Sequence, residues 1–141
     1  MMDYIFAEDS NPSSDDLYVL TRGLIENAKK KTPHATSTQG FAFFVRDKNN
    51  NIVAGVNGYT FYGCVYVDQL WVDDTLRGKG YGTELMQKAE KLGKERGCVF
   101  AAVNTMDWEG LDFYNKLGYE VEFERHGFLM DSVFYFLRKK I

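Results

Sequence analysis

The sequence has few of the residues that cross-link a chain or bind metals: two cysteines and two histidines among 141 residues. Cys64 and Cys98 are too few for a disulfide framework, and with the scattered histidines they form no metal-binding pattern, so no metal is expected. No apolar run approaches the roughly 20 residues of a membrane-spanning helix. The N-terminus lacks a basic region followed by an apolar stretch. We therefore expect no secretory signal, no membrane association and a cytoplasmic location.

An excess of charge of one sign is also missing. Seventeen Lys and Arg against twenty Asp and Glu give a net charge of −3, which predicts no nucleic-acid partner. Apolar residues make up 45% and charged residues 26%, as in ordinary globular proteins, and the length predicts a single domain over residues 1–141. Aromatic residues, by contrast, are abundant: eleven Phe, nine Tyr and two Trp. Most of these rings are expected in the core.

The apolar periodicity predicts a mixed α/β chain with helices on the faces of a sheet. Ser13 and Asp16 are suited to cap the first helix, and Pro33 ends it. The predicted segments are, in order, a strand at 4–7, a helix at about 13–31, strands at 41–45, 52–56 and 65–72, a helix at about 82–96, a strand at 99–103, a helix at about 108–117 and strands at 119–124 and 132–137.

The strand from Val65 to Val72 is largely apolar in both of its alternating positions. Strict alternation places Tyr66, Leu70 and Val72 on one side, with Val65, Val67 and Trp71 on the other. Such a pattern is typical of a central strand that is covered on both faces.

A glycine-rich loop follows this strand and leads into an amphipathic helix. Gly78, Gly80 and Gly82 occupy three of five positions, with Arg77 and Lys79 beside them. Glycines let the backbone approach a ligand, and a helix N-terminus favours anions, so the loop suits a pyrophosphate. It lacks the third glycine of the dinucleotide fingerprint and the Gly-Lys-Ser/Thr of the nucleotide P-loop. A tight strand–helix turn with incidental basic residues is the alternative.

Two segments together resemble the signatures of the GNAT superfamily of N-acetyltransferases. The residues from Arg77 to Gly82 match Arg/Gln-x-x-Gly-x-Gly/Ala, the pyrophosphate loop of that superfamily. The residues from Phe113 to Tyr119 match its second signature, Phe/Leu-Tyr-x-Lys-x-Gly-Phe/Tyr. The resemblance spans most of the segment from Val65 to Phe123. It implies a mostly antiparallel central sheet of six to seven strands with helices on both faces.

The resemblance further implies acetyl-CoA as co-substrate, with its pantetheine arm in a gap between two splayed strands. Here these are the strands 65–72 and 99–104. Backbone groups near Leu70 and Val72 would bind the arm, and Asn104 would contact it. By the same resemblance, the pyrophosphate would be held by Arg77, Gly78, Lys79, Gly80, Tyr81, Gly82 and Thr83.

Tyr114 is the leading catalytic candidate, because a phenol near the thioester can donate a proton to the leaving thiolate. A core tyrosine is the alternative. Some members of the superfamily carry a carboxylate base where this chain has Tyr66, so Asp68, two residues further on, is the candidate base. A hydrogen-bonded carboxylate in a bulge is its alternative. Asp107 stands where the family often has Asn, which leaves a cofactor role for it in doubt.

We therefore predict an N-acetyltransferase that moves an acetyl group directly to a primary amine of a small molecule or peptide. No cysteine lies in the signatures, so a covalent acetyl intermediate is not expected. Trp108 is expected either to anchor packing or to wall the acceptor cleft. A homodimer is possible, as in many members of the family. The alternatives are a non-catalytic acyl-CoA sensor of the same fold and an unrelated phosphate-binding protein that shares only the loop.

Overall fold

The computed structural model describes residues 3–33 and 38–141, and the chain divides into two compact units, Met1–Ser37 and Thr38–Ile141. In the first unit, helix α1 spans Ser14–Lys31. The Ser13 hydroxyl accepts a hydrogen bond from the backbone N–H of Asp16 at 3.1 Å, which caps the helix. Acidic residues in the first turn and lysines in the last turn complement the helix dipole. The predicted first helix is confirmed.

The predicted strand at residues 4–7 is wrong. Residues 3–13 contain no helix or strand, and the side chains of Tyr4, Ile5 and Phe6 are 82%, 92% and 97% exposed. A strand is stable only when its backbone pairs with a neighbour and its side chains pack on a face. A short apolar run supplies side chains for such a strand but does not by itself supply the pairing partner.

The second unit contains a six-stranded sheet in the order β1-β2-β3-β4-β6-β5. Only β3 and β4 pair in parallel, and every other neighbouring pair is antiparallel. This confirms the predicted fold class, a mixed α/β chain with a mostly antiparallel sheet and helices. The elements are β1 Gln39–Arg46, β2 Ile52–Phe61, β3 Cys64–Val72, α2 Tyr81–Glu95, β4 Phe100–Met106, α3 Leu111–Lys116, β5 Glu120–Arg125 and β6 Phe134–Lys140.

The hydrophobic core of this unit lies between the sheet and the helices α2 and α3. Helix α2 contributes Leu85, Met86 and Ala89, all buried, and α3 contributes Tyr114. Both cysteines are buried free thiols. Among the described residues, no helix combines the length and the apolar character needed to cross a bilayer.

Strand β3 contains a bulge at Asp68. Val67 pairs with Gly58 of β2, and Gln69 pairs with the next residue of β2, Asn57, so Asp68 has no partner in the register. An extra residue in one strand bends it and shifts the alternation of its side chains.

The bulge overturns the predicted division of the β3 side chains between the two faces. Leu70 and Val72 pack against the same core as Val65 and Val67, whereas Trp71 is 50% exposed. Strict alternation put Leu70 and Val72 opposite Val65, because it took no account of the additional residue. The bulge thus keeps both halves of β3 apolar toward the core while turning Trp71 to the opposite side of the strand.

Candidate active site

A cleft of about 660 Å³ opens where β3 and β4 separate. The two strands pair only from Cys64 with Phe100 to Val67 with Val103, yet β3 continues to Val72 and β4 to Met106. This geometry agrees with the gap that the resemblance implies. The lining residues are Asp68, Gln69, Leu70, Trp71, Arg77, Asn104, Thr105, Trp108, Glu109, Gly110, Phe113 and Tyr114.

The cleft brings together five of the residues predicted from the sequence: Asp68, Leu70, Arg77, Asn104 and Tyr114. The remaining candidates do not line it. They are Val72, at the end of β3, and Gly78, Lys79, Gly80, Tyr81, Gly82 and Thr83, in the glycine-rich loop and the first turn of α2. The site is therefore a cleft lined by two distant stretches of the sequence, residues 68–77 and 104–114, with the glycine-rich loop adjoining it.

The loop ends in an open helix N-terminus. Gly80 is the N-cap of α2 and adopts a left-handed conformation with φ of 87°, which a glycine adopts without strain. The first helical bond at this end runs from the N–H of Glu84 to the carbonyl of Gly80. The N–H groups of Tyr81, Gly82 and Thr83 precede that bond, so they are free of the helical ladder and can donate to an anion.

Arg77 connects the loop to the cleft. Its Nε donates to the carbonyl oxygen of Val72 at 3.3 Å and lies 3.2 Å from a carboxylate oxygen of Asp74. Lys79 and Gly78, which follow, are exposed. The two cationic side chains thus stand at the same end of the cleft as the N-terminus of α2.

Gly82 sets how closely α2 and α3 approach. A Cβ atom at this position would lie 3.2 Å from the Cζ atom of Phe113, which is tighter than ordinary packing. Phe113 lines the cleft. A small residue at position 82 therefore lets the N-terminal end of α2 lie close to one wall of the cleft.

Tyr114 is both a core residue and a cleft residue, so its two predicted interpretations are compatible. It is 7% exposed, and its ring packs edge-on against Phe113 at a centroid distance of 5.1 Å. Burial, with a smaller contribution from the charge of Glu109, raises the pKa of the Tyr114 phenol from its ordinary 10.0 to about 12. The hydroxyl is therefore protonated at neutral pH and can act as a hydrogen-bond donor.

Asn104 is linked to Tyr66 across the two strands. Its Nδ2 donates a hydrogen bond to the Tyr66 hydroxyl at 3.0 Å, and the ring of Tyr59 lies 5.2 Å from that of Tyr66. Burial, followed by the charge of Asp68, raises the pKa of Tyr66. Position 66, where the family resemblance implies a carboxylate in some members, thus holds a protonated phenol that cannot serve as a base at neutral pH.

Asp68 is exposed and lies in the β3 bulge, within the cleft lining. Asp107, the other acidic residue singled out from the sequence, lies outside the lining; its backbone N–H donates to the Val133 carbonyl. Trp108 is 69% exposed and lines the cleft, so of its two predicted roles the structure supports the wall rather than the packing anchor.

Trp71 and Glu109 also line the cleft, and neither is a site residue predicted from the sequence. Strict alternation placed Trp71 on the same side as Val65 and Val67, and the bulge turns it away from the core. Glu109 lies five residues before Tyr114 at the start of the α3 segment, and its Oε1 accepts a hydrogen bond from the N–H of Met106 at 3.3 Å. Glu109 lies before the first residue of α3, Leu111, so helical spacing in the sequence does not indicate that it shares a cleft with Tyr114.

The model of the Acetyltransferase (GNAT) family matches residues 5–119. The chain belongs to this family. The resemblance inferred from the two signatures is therefore confirmed, and the match includes the glycine-rich loop and Tyr114.

Individual proteins resemble the chain in sequence or in fold. The chain is 33% identical to the acetyltransferase Atu2258 of Agrobacterium fabrum over 75 residues, which cover 53% of this chain and 55% of that protein. It is 31% identical to blasticidin-S acetyltransferase of Streptomyces morookaense over 97 residues, covering 67% and 71% of the two chains. The crystal structure of an acetyltransferase from Bacillus cereus superimposes with a TM-score of 0.77 at 21% identity, covering 96% and 98%. The chain thus spans about half the length of the first of these relatives.

Proposed function

We propose that this GNAT-family protein transfers the acetyl group of acetyl-CoA to a primary amine of a small molecule or peptide. Acetyl-CoA is the co-substrate. The observation that carries the proposal is the cleft between β3 and β4, which joins a buried, protonated tyrosine to an open helix N-terminus flanked by basic side chains.

The proposed cofactor position follows from the charges and the free donors. The pyrophosphate binds the N–H groups that start α2 at Tyr81, and Arg77 and Lys79 add positive charge at the same end. The pantetheine arm runs along β3 near Leu70, where the strand edge is no longer paired with β4. Asn104 lies beside this path and has an amide oxygen with which to accept a hydrogen bond.

The proposed reaction is a direct transfer. The neutral amine attacks the thioester carbonyl, the new C–N bond forms, and the C–S bond breaks to release the CoA thiolate. The Tyr114 hydroxyl donates its hydrogen bond to that sulfur. Since the phenol pKa of about 12 exceeds a thiol pKa of about 8.5, the stable arrangement is a hydrogen bond to the thiolate rather than complete proton transfer. The proton that converts the thiolate to the thiol comes from the amine.

Asp68 is the proposed base. An amine acceptor arrives as an ammonium ion at neutral pH, and the exposed Asp68 carboxylate in the cleft can take a proton from it directly or through one water. It lies in the bulge of β3, close enough to Tyr66 for its charge to contribute to the raised pKa of that phenol.

Two observations favour transfer over a non-catalytic sensor. The Tyr114 hydroxyl forms no hydrogen bond within the described residues and Tyr114 lines the cleft, so the hydroxyl is available to a ligand there. The relatives named above carry the name acetyltransferase. A sensor requires the cofactor pocket alone, without a donor and a carboxylate beside the thioester.

The function is tested in two steps. First, thermal unfolding is followed with CoA, ATP and NAD; a ligand at a hundred times its Kd adds about 2.7 kcal/mol, and only CoA is expected to stabilise. A shift of equal size with ATP or NAD contradicts a CoA site and favours a general phosphate loop.

Second, thiol release from acetyl-CoA is measured against a panel of amines. Stabilisation by CoA without thiol release from any amine identifies the sensor.

A further inference from the structure

The cleft is lined by two carboxylates that form no ion pair within the part of the chain that the structure describes. Asp68 stands on the β3 wall, and Glu109 stands on the opposite wall before α3. Within residues 3–33 and 38–141, neither forms an ion pair, and the cation that lines the cleft, Arg77, is held by Asp74 and Val72. Unpaired carboxylates that face a common cleft attract cations into it.

Both tryptophans of the chain line this same cleft. Trp71 is adjacent to the Asp68 wall and is 50% exposed, and Trp108 precedes Glu109 and is 69% exposed. Indole faces attract cations, most strongly when a bound ligand has been desolvated. Each wall therefore pairs one carboxylate with one exposed indole, which is an arrangement for holding positive charge at two points.

We propose that the acceptor carries a second cationic group in addition to the amine that is acetylated, as in a linear diamine or an amine that also bears a guanidinium. This inference rests on the proposed function. A single ammonium group offsets one of the two carboxylates, and its proton remains in the cleft when Asp68 takes it. The Glu109 carboxylate, which accepts a hydrogen bond from the N–H of Met106, would then be left without a cation beside it. A second cation beside Glu109 and Trp108 neutralises that charge and positions the reacting amine toward Tyr114.

Intrinsic fluorescence tests the inference without turnover, because all tryptophan emission arises from residues that line the cleft. The full chain is titrated, in the absence of CoA, with a linear diamine and with the amino alcohol of the same chain length. We expect a saturable change in emission and a Kd for the diamine that is at least about tenfold lower. Equal binding of the two probes, or no saturable change with the diamine, overturns the inference.

Charge-neutral variants locate the second cation. Glu109→Gln is expected to remove most of the preference for the diamine, whereas Glu95→Gln, at an exposed position of α2, is expected to keep it. A preference that survives the double variant Asp68→Asn/Glu109→Gln contradicts the assignment of these carboxylates.

The outcome is separable from that of the proposed function. Thiol release with the amino alcohol at the same kcat/KM as with the diamine overturns the second cation and leaves acetyl transfer standing. Failure of CoA to stabilise the protein contradicts the proposed function, while the fluorescence titration still decides whether the cleft selects a dication.

Discussion

The rings of Tyr114 and Tyr119 pack edge-on, with centroids 5.9 Å apart and planes inclined at 72°. Tyr119 is itself fixed, because its hydroxyl donates to Glu90 at 2.9 Å and Glu90 also accepts from Lys139 at 2.8 Å. The phenol proposed to stabilise the thiolate therefore rests on an anchored aromatic ring. The position of the Tyr114 hydroxyl is therefore set by the packing of its ring more than by hydrogen bonds of the hydroxyl itself.

Removing that hydroxyl is expected to slow turnover and to leave cofactor binding intact. Tyr114→Phe keeps the ring packing and deletes the donor, so kcat should fall by about a hundredfold, as for loss of a positioned acid. The Kd for CoA should change by no more than about threefold, since the ring still fills its place. Thiol-release kinetics and a CoA titration measure the two quantities.

Tyr119→Phe is the matched control. It deletes a hydroxyl from the ring that touches Tyr114 but does not line the cleft. Loss of its bond to Glu90 should lower the free energy of unfolding by about 1–2 kcal/mol and change kcat by less than about threefold. Equal losses of kcat in the two variants would show that the Tyr114 hydroxyl has no special part in the reaction.

The buried phenol also predicts a loss of stability in alkali. The pKa of Tyr114 is raised from 10.0 to about 12 in the folded protein, so the folded state holds this proton more tightly than the unfolded chain. Its contribution to the free energy of unfolding is full below pH 10 and declines as the pH rises toward 12, by up to about 3 kcal/mol. Urea unfolding of the wild type and of Tyr114→Phe across that range should show a shallower decline in the variant. Parallel declines would contradict the assignment.

The parts of the site that depend on neighbours in sequence could be predicted, because their signals are local. The loop up to Gly82 and the helix behind it follow from glycine spacing and apolar periodicity, and the signature around Tyr114 is contiguous. The bulge at Asp68 could not be predicted from such local signals. It results from how β3 pairs with Gly58 of β2, and strict alternation along one strand does not contain that information.

For the same reason, the sequence could not predict that two distant segments of the chain line one cleft. Trp71 and Glu109 are 38 positions apart in the sequence and share a cleft only because β3 and β4 diverge after their parallel pairing. The absent strand at residues 4–7 is the opposite case. There an apolar run suggested a strand, and pairing did not follow.

The role of Asp68 as base is tested through the pH dependence of its amide variant. Asp68→Asn should lower kcat/KM by about tenfold or more near pH ~7, where the acceptor is an ammonium ion. The defect should shrink as the pH rises, because solvent then supplies the free amine. Glu95→Gln serves as the control for loss of a carboxylate. A defect of constant size at every pH would instead support the alternative of a carboxylate with a purely structural part in the bulge.

The loop is tested at Gly80. Gly80→Val places a branched side chain at φ of 87°, a conformation that such residues rarely adopt, and should distort the start of α2. The affinity for CoA should fall by at least about tenfold, since the amide donors move. Gly97→Val is the matched control, with φ of 83° and equally open space after the other end of α2. It should lower stability without changing the affinity for CoA, and a similar loss of affinity in both variants would contradict a pyrophosphate site at the loop.

The most direct test of the account is the stoichiometry of the reaction in one tube. The protein is mixed with acetyl-CoA and a linear diamine, free thiol is measured by colour, and the acetylated amine is measured by mass spectrometry. If the protein transfers acetyl groups in this cleft, one thiol is released for each acetyl group found on the amine, at a rate that Tyr114→Phe reduces about a hundredfold. Thiol release at the enzyme-free rate, or release without an acetylated amine, would contradict acetyl transfer in the cleft between β3 and β4.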